Sequence, residues 1–380
     1  MHIIGIIAEY NPFHNGHLYQ INKIKEKYPN STIIAVVSSS FTQRGDISIL
    51  NKWDKTQIAL DNGIDLVIEL PFVYSTQSSD VFAKGAVEIL NHLKIDTLVF
   101  GTERDTLKDL ELLADIQINN KEYQNKVKKY LDKGLNYATA TNKALEDLTN
   151  FTVDTPNDIL ALSYIKQIKE HNYNINYTNI KRTISYHENK IKNNITSATN
   201  IRNMYQNGQN IDNLIPFNKD KLYKVNMDKY LNILKYKVLT LDTKIKKYQT
   251  VDEGIESRII NNISNSNTYE QLIQNIKTKR YTYNKISRLL LHIITGFTKE
   301  EANNIKIDYI RVLGFTTKGK NYLNKIKKEL TLPLLVGYKK NISKVLDIEQ
   351  RITKIYSLFT DSSLIKKEYQ TKPIIKENND

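Results

Sequence analysis

Four short runs rich in β-branched and aliphatic residues constrain this chain most: Ile3 to Ala8, Thr32 to Ser38, Leu66 to Leu70 and Thr97 to Phe100. Each ends in Gly, Pro, Ser or a polar cluster. Near-continuous apolar runs of this length suit strands covered on both faces, as in a parallel sheet. Between them, His17 to Tyr28, Trp53 to Asn62 and Ser79 to Leu93 carry helical spacing, the last with Val81, Phe82, Ala86, Ile89, Leu90 and Leu93 on one stripe. The alternation predicts a βαβαβαβ unit, hence an α/β fold built on a Rossmann-like doubly wound parallel sheet.

Further along, a polar helical stretch runs to about Leu148, Pro156-Asn157-Asp158 opens another helix, and Asn174 to Thr183 supplies a candidate fifth strand. Beyond Arg202 the pattern becomes lysine-rich and helical, over 219–247, 268–278, 283–294 and 322–328. The expected organisation is therefore an α/β domain over 1–204, a basic α-helical domain over 205–364 and a frayed polar tail over 365–380.

A chain of 380 residues is long enough for two or three domains. Its 55 Lys+Arg against 41 Asp+Glu leave a net charge of +14, which attracts polyanions, nucleic acid foremost; a solvated, compositionally biased surface is the competing reading. Cysteine is absent, which removes disulfides, thiolate nucleophiles and Cys-based metal sites. No run approaches the roughly 18 apolar residues of a membrane span, and the apolar N-terminus lacks the basic start of a signal peptide. A soluble, cytoplasmic protein with no membrane partner is expected.

The most specific motif is Asn11-Pro12-Phe13-His14-Asn15-Gly16-His17, set after the first strand at the mouth of the first helix. A helix N-terminus presents unpaired N–H groups and partial positive charge, and glycine lets the backbone approach a phosphate. Two histidines add donors for phosphate oxygens. The alternative is one capping histidine and one packed histidine. A second motif, Ser197-Ala198-Thr199-Asn200-Ile201-Arg202, supplies helix-start hydroxyls and a guanidinium within one turn, either a phosphate fork or an ordinary cap.

Gln43-Arg44-Gly45-Asp46 follows the second strand, so it belongs on the sheet's functional edge. Arg44 there suits an anionic ligand, a small carboxylate or a nucleic-acid phosphate, and Asp46 suits a phosphate-bound Mg²⁺, or the two form a structural pair. In the helical half, the segment from Lys277 to Arg288 interleaves five cations with Tyr281 and Tyr283. That suits phosphate contacts plus stacking on an unpaired base, against a plain solvated helix face.

His14-Asn15-Gly16-His17 resembles the HxGH signature of the nucleotidylyltransferase superfamily, and Ser197 to Arg202 resembles its ISSTxIR-type motif. The longer segments Ile6 to His17, Phe41 to Asp46, Gly63 to Pro71, Phe100 to Glu103, Pro156 to Leu160, Ile180 to Arg182 with Tyr186-His187, and Lys279 to Thr282 with Arg288 together resemble the tRNA(Met) cytidine acetate ligase family. The resemblance spans roughly residues 3 to 330. Asn200 and Thr102 depart from it, standing where smaller residues are expected.

The resemblance implies a nucleotidylyltransferase-type (HUP) fold and an AMP-forming ligase. ATP and acetate would form acetyl-adenylate, and the acetyl group would pass to N4 of the wobble cytidine (position 34) of elongator tRNA(Met), giving N4-acetylcytidine. By matching position, it implies catalytic roles for His14, His17, Ser197, Thr199 and Arg202. The ATP site would comprise Ile7, Ala8, Glu9, Tyr10, Asn11, Pro12, Phe13, His14, Asn15, Gly16, His17, Leu18, Tyr19 and Gln20, with Gly101, Asn157 and Arg182. Substrate contacts would come from Gln43, Arg44, Lys279, Arg280, Tyr281 and Arg288. The partners are tRNA, through its anticodon loop, and acetate; Mg²⁺ accompanies ATP, no resident metal is expected, and DNA is not a partner. Two rival readings are a small-molecule adenylyltransferase of the cofactor-biosynthesis type and a non-catalytic RNA-binding protein.

Overall fold

The computed structural model describes residues 1–182 and 191–377; Tyr186 and His187 lie outside them. The strands are β1 (Ile3–Ala8), β2 (Thr32–Ser38), β3 (Leu66–Leu70), β4 (Thr97–Thr102), β5 (Asn176–Lys181), β6 (Ile310–Thr316), β7 (Leu334–Leu335) and β8 (Ile374–Lys376). They form one sheet in the order β5-β4-β1-β2-β3-β6-β7, with β8 also paired to β6. The first five are mutually parallel. All seven residues of β2 are buried, as a continuous apolar run in a parallel sheet requires.

Alternate residues divide between the faces. Ile4, Ile6, Ile33, Ala35 and Val37 pack with Ile21 and Ile24 of the helix Asn15–Lys27 and with Ile58 and Ala59 of the helix Lys52–Asp61. On the opposite face Ile3, Ile34, Val36 and Ile68 meet the helices Ser79–His92 and Pro156–Glu170. The chain runs outward from β1 through β2 to β3, then returns to β4 on the other side of β1. This reversal opens a crevice at the carboxyl ends of β1 and β4, where open α/β sheets bind ligands.

The last third corrects two expectations. The α/β layer is not finished by residue 204, because β6 pairs antiparallel with β3, Leu66 opposite Phe315 and Val67 opposite Gly314. Nor is the region after Leu364 a frayed tail: it contains the helix Ser363–Gln370 and β8, which pairs with β6. The reason is a buried charge cluster. Lys52 Nζ lies 2.6 Å from Glu69 and 2.7 Å from Glu368, while Arg311 lies 3.1 Å from Glu69 and also pairs with Glu368. Each of these four charges completes the others, which fastens the chain's end to β3 and β6.

The helices Met227–Leu241, Ile255–Ile263, Tyr269–Ile276 and Tyr283–Thr295 follow the lysine-rich pattern. Their apolar stripes, including Leu234, Ile259, Leu272 and Leu290, join the same core as β3 and Phe72. The helical segment thus shares one continuous core with the α/β layer rather than forming a core of its own.

Candidate active site

His14 is the N-cap of the helix Asn15–Lys27 and belongs to a capping box. The Gly16 N–H donates to His14 Nδ1 (3.0 Å), and the His14 N–H donates to His17 Nδ1 (3.2 Å). The ring centroids are 3.9 Å apart. A Cβ on Gly16 would sit 2.7 Å from His14 Cε1, so only glycine lets the imidazole fold back over the turn. Tyr10 and Phe13 flank His17 at 4.9 and 5.5 Å.

Burial, then the neighbouring His17, Arg182 and Arg202, holds His14 well below the usual imidazole range. Burial followed by Arg182 holds His17 down to about 3. Both rings are therefore neutral. Because each Nδ1 accepts a backbone N–H, the proton of each neutral ring resides on Nε2, giving two donors without added charge.

Ser197 caps the helix Ala198–Gln206, accepting the Asn200 N–H at 3.2 Å. Arg202 binds three parts of the site together: Nη1 donates to the Asn11 carbonyl (2.8 Å), Nη2 donates to Thr199 Oγ1 (3.2 Å), and Nη2 lies 3.5 Å from Asp46. The five expected catalytic side chains thus belong to two helix starts joined by one guanidinium. Asn15 secures the pair, its Nδ2 donating to the carbonyls of Asn194 (2.9 Å) and Asn213 (2.8 Å).

The two departures from the family pattern are accommodated. Thr102 Oγ1 donates to the Arg104 carbonyl (2.7 Å) and accepts from Asn179 Nδ2 (2.7 Å), and Asn200 Nδ2 donates to Thr196 Oγ1 (3.0 Å).

Across the crevice, Gly101 lies in β4, and an added Cβ would meet nothing nearer than Arg182 Cγ at 3.6 Å. Protein packing does not require glycine there. Asn157, at the start of the helix Pro156–Glu170, donates from Nδ2 to Glu103 (2.8 Å), and Arg182 lies 3.8 Å from the same carboxylate. Glu103 therefore gathers Asn157 and Arg182 at the end of β4. Asp158, which was not singled out from sequence, orients that loop by accepting the Glu103 N–H (3.0 Å) and Arg104 Nε (3.2 Å).

Of the loop after β1, Glu9 accepts the Gln43 N–H at 2.6 Å. Burial pushes the Glu9 carboxyl up against the opposing pull of that amide and of Lys55. Lys55 was also missed: its Nζ donates to the carbonyls of Ser38 and Ser39 (both 2.9 Å), and burial lowers it to about 7. Its sequence signal is a lysine among Trp53, Thr56 and Ala59 on the packed side of a helix. Gln20 Nε2 donates to the Val99 carbonyl (3.5 Å), whereas Leu18 lines a separate cavity by the amino ends of β2 and β3. Lys23 lies 5.9 Å above the Tyr19 ring.

Gly45 has φ +86°, and a Cβ on it would come within 2.7 Å of the Arg288 backbone nitrogen. This contact seats the Gln43–Asp46 turn on the helix Tyr283–Thr295, and Arg288 Nη1 donates to the Gln43 carbonyl (3.2 Å). Burial, then Arg44, lowers Arg288 to about 10. Asp46 pairs with Arg202. Among the described residues no group of three or more His, Asp or Glu is placed to hold a metal ion.

Lys279, Arg280 and Tyr281 lie elsewhere, around a cavity in the helical half. The expectation that Tyr281 stacks on a base is corrected. It is 3 % exposed, its hydroxyl donates to the Asp252 carbonyl (2.6 Å), and Lys285 sits 3.8 Å over its ring. Tyr283, at 37 %, is the exposed aromatic of that segment. Among the described residues no helix is long and apolar enough to cross a membrane.

A doubly wound sheet with an HxGH turn over its switch point and a Ser/Thr/Arg helix start beside it has the form of a nucleotidyltransferase. The HIGH Nucleotidyl Transferase family matches residues 1–372. Proteins called tRNA(Met) cytidine acetate ligase are 36% identical in Clostridium novyi (98% of this chain, 99% of theirs) and 38% identical in Clostridium kluyveri (99% of each). The one from Bacillus subtilis is 35% identical over 94% of this chain and 92% of its own. The crystal structure of apo Thermotoga maritima TmcAL superposes with a TM-score of 0.91 at 28% identity, and that of TmcAL bound with alpha-thio ATP with 0.89 at 27%; each covers 100% of both chains. The chain belongs to the tRNA(Met) cytidine acetate ligase family of HIGH nucleotidyl transferases.

Proposed function

We propose that this protein activates acetate with ATP and transfers the acetyl group to N4 of the wobble cytidine of elongator tRNA(Met). The observation that carries the reading is the pair of imidazoles at the first helix start, each accepting a backbone N–H at Nδ1 and so left to donate from Nε2, with Arg202 tying the Asn11 carbonyl of that turn to Thr199 of the second helix start. ATP enters the crevice with its triphosphate over the Asn11–His17 turn. Gly101 leaves room for the nucleoside, and Asn157 and Arg182 approach it from the other wall.

An acetate oxygen attacks the α-phosphorus, the Pα–O–Pβ bond breaks, and pyrophosphate leaves with acetyl-adenylate formed. His14, His17 and the Ser197/Thr199/Arg202 group offset charge on the phosphates, so positioning and electrostatics carry the step. The cytidine amine then attacks the acetyl carbonyl, AMP leaves, and the amine loses one proton. The target base must leave its stack to reach the anhydride, at a cost of a few kcal/mol offset by binding. Mg²⁺ carried by ATP would be held by the phosphates and by the Asp46 carboxylate, where it would offset phosphate charge. Arg44 and Arg288 lie where acetate or the incoming RNA enters, and the Lys279–Arg280 region holds more distant RNA.

Incubation with ATP, radiolabelled acetate and elongator tRNA(Met) tests the reading. Label is expected in the tRNA as N4-acetylcytidine, with acetate-dependent ATP–pyrophosphate exchange when tRNA is left out. Unlabelled tRNA from protein that binds ATP would overturn it.

A further inference from the structure

Acetyl transfer to an amine needs a group that takes one proton from the nitrogen, and few groups in the crevice are free to do so. His14 and His17 each accept a backbone N–H at Nδ1, which leaves the ring proton on Nε2 and no open lone pair. A second proton on either ring is opposed by burial and by the nearby cations. Asp46, Glu103 and Asp158 are engaged as well. Asp158 accepts the Glu103 N–H and Arg104 Nε. Glu103 accepts Asn157 Nδ2 through Oε1, and its Oε2 is sealed in protein. Asp46 lies 3.5 Å from Arg202.

Glu9 differs. It directly follows β1, at the switch point of the sheet, and is only partly buried. Its Oε1 accepts the Gln43 N–H (2.6 Å), which fixes the direction of the carboxylate. Its Oε2 has no hydrogen-bond partner among the described residues and is not sealed by packing. The next residue, Tyr10, packs against His17, and the turn that holds Glu9 also carries Asp46 beside Arg202. Glu9 therefore stands between the turn proposed to bind the triphosphate and the Gln43–Asp46 turn. The charged and titratable groups that face it are Lys55 of the helix Lys52–Asp61, Arg44 and Asp46 of the turn, and Tyr164 of the helix Pro156–Glu170. Burial outweighs Lys55 and Arg44 and raises the carboxyl, which makes it a better proton acceptor than a solvated glutamate.

We propose that Glu9 Oε2 is the base that takes the proton from N4 of the cytidine as the acetyl group is transferred. The inference rests on the tRNA reading above. The amine nitrogen bonds to the acetyl carbonyl carbon, and its proton passes to Glu9 Oε2. The bond from that carbon to the phosphate oxygen breaks, AMP leaves with the electron pair, and Glu9 gives its proton to water. Acetate attacks the α-phosphorus without moving a proton, so the carboxylate serves as a base in the second step alone.

Two rates test this: acetate-dependent ATP–pyrophosphate exchange without tRNA, and single-turnover acetylation of elongator tRNA(Met) by enzyme preincubated with ATP and acetate. The amide oxygen of Glu9→Gln can still accept the Gln43 N–H. Its transfer rate should fall about 10²–10⁴-fold, the range for a lost general base, and far more than its exchange rate. In wild type, transfer should rise about tenfold per pH unit through the Glu9 titration, above the usual glutamate value of about 4.3, and then level. Glu9→Gln should lose this rise, and Glu9→Asp should keep it with a lower plateau. Equal losses in transfer and exchange, or a rise that persists in Glu9→Gln, would overturn the role of Glu9 while leaving the tRNA reading intact. If thermal melts show Glu9→Gln unfolded, the Glu9→Asp profile decides, a flat one overturning the role. Wild type that leaves the tRNA unacetylated would instead overturn the tRNA reading, and this inference with it.

Discussion

At the carboxyl ends of β1 and β4, His14 is buried and His17 largely so beside Arg182 and Arg202, and both stay uncharged. Between β3 and β6, Arg311 and Glu368 are fully buried and stay charged, Glu368 held down to about 2 and Arg311 raised. Burial opposes ionisation in all four groups. Only the second region surrounds each charge with opposite charges at contact distance, so there the attraction exceeds the desolvation. Within it, Glu349 lacks an equal share of cations. Burial and then Glu69 push it up to about 8, and it instead accepts the Phe72 N–H. In the first region the guanidiniums meet carboxylates of the described residues only at 3.5 Å (Arg202 to Asp46) and 3.8 Å (Arg182 to Glu103); the second is closely paired and serves to hold the sheet together.

Removing one cation should break this contrast most severely. Arg311→Met leaves Glu69 and Glu368 sharing Lys52 alone, and an unfolding free energy lower by about 3–5 kcal/mol is expected in urea titration. His17→Ala should act oppositely, sparing the fold while reducing acetate-dependent pyrophosphate exchange by about 10²–10³-fold, the scale for loss of a preorganised donor. Gly45→Ala places a methyl against the Arg288 backbone at positive φ. A loss of about 1–3 kcal/mol is expected, with weaker turnover because the Gln43–Asp46 turn lifts from its helix.

The two regions also differ in pH dependence. His17 binds a proton below about 6.5 when unfolded but only near 3 when folded, so the unfolded state takes up more protons between these values and stability falls as pH drops through that window. Glu368 contributes fully above the unfolded carboxylate value of about 4.3 and loses its contribution as pH falls toward 2. Thermal melts should show His17→Gln flattening the slope from pH 6.5 downward, and Glu368→Gln flattening only the more acid limb. The smallest effect on the fold is expected from Gly101→Ala, within about 0.5 kcal/mol of wild type, since no protein atom lies closer than 3.6 Å. If Gly101 faces nucleotide, the same change should raise the apparent KM for ATP in the exchange assay.

The turn proposed to bind the triphosphate was legible because its parts are adjacent in sequence. His14, Gly16 and His17 fall within four residues, and the start of a helix after a buried strand dictates what such residues can do. The same holds for Ser197, Thr199 and Arg202, although only the fold shows that Arg202 reaches back to Asn11. Lys55 and Asp158 escaped notice because lysine and aspartate on helices are ordinarily solvated; their burial depends on segments distant in sequence. β6 was hidden for a related reason. Ile310 to Thr316 is a short apolar run in a lysine-rich context, and its partner β3 lies far upstream. Tyr281 was misread because an aromatic among cations looks the same in sequence whether its ring faces RNA or the interior.

Local pattern alone determined the parallel strands, the helices between them and the capped turn at His14 to His17, because strand burial and helix capping depend on residues only a few positions apart. Tertiary structure alone decided which charges survive burial, where the chain's last strands pair, and which of the basic segment's residues face a cavity. Those outcomes depend on distances between groups far apart in the chain, and electrostatic and packing energies follow distance in space.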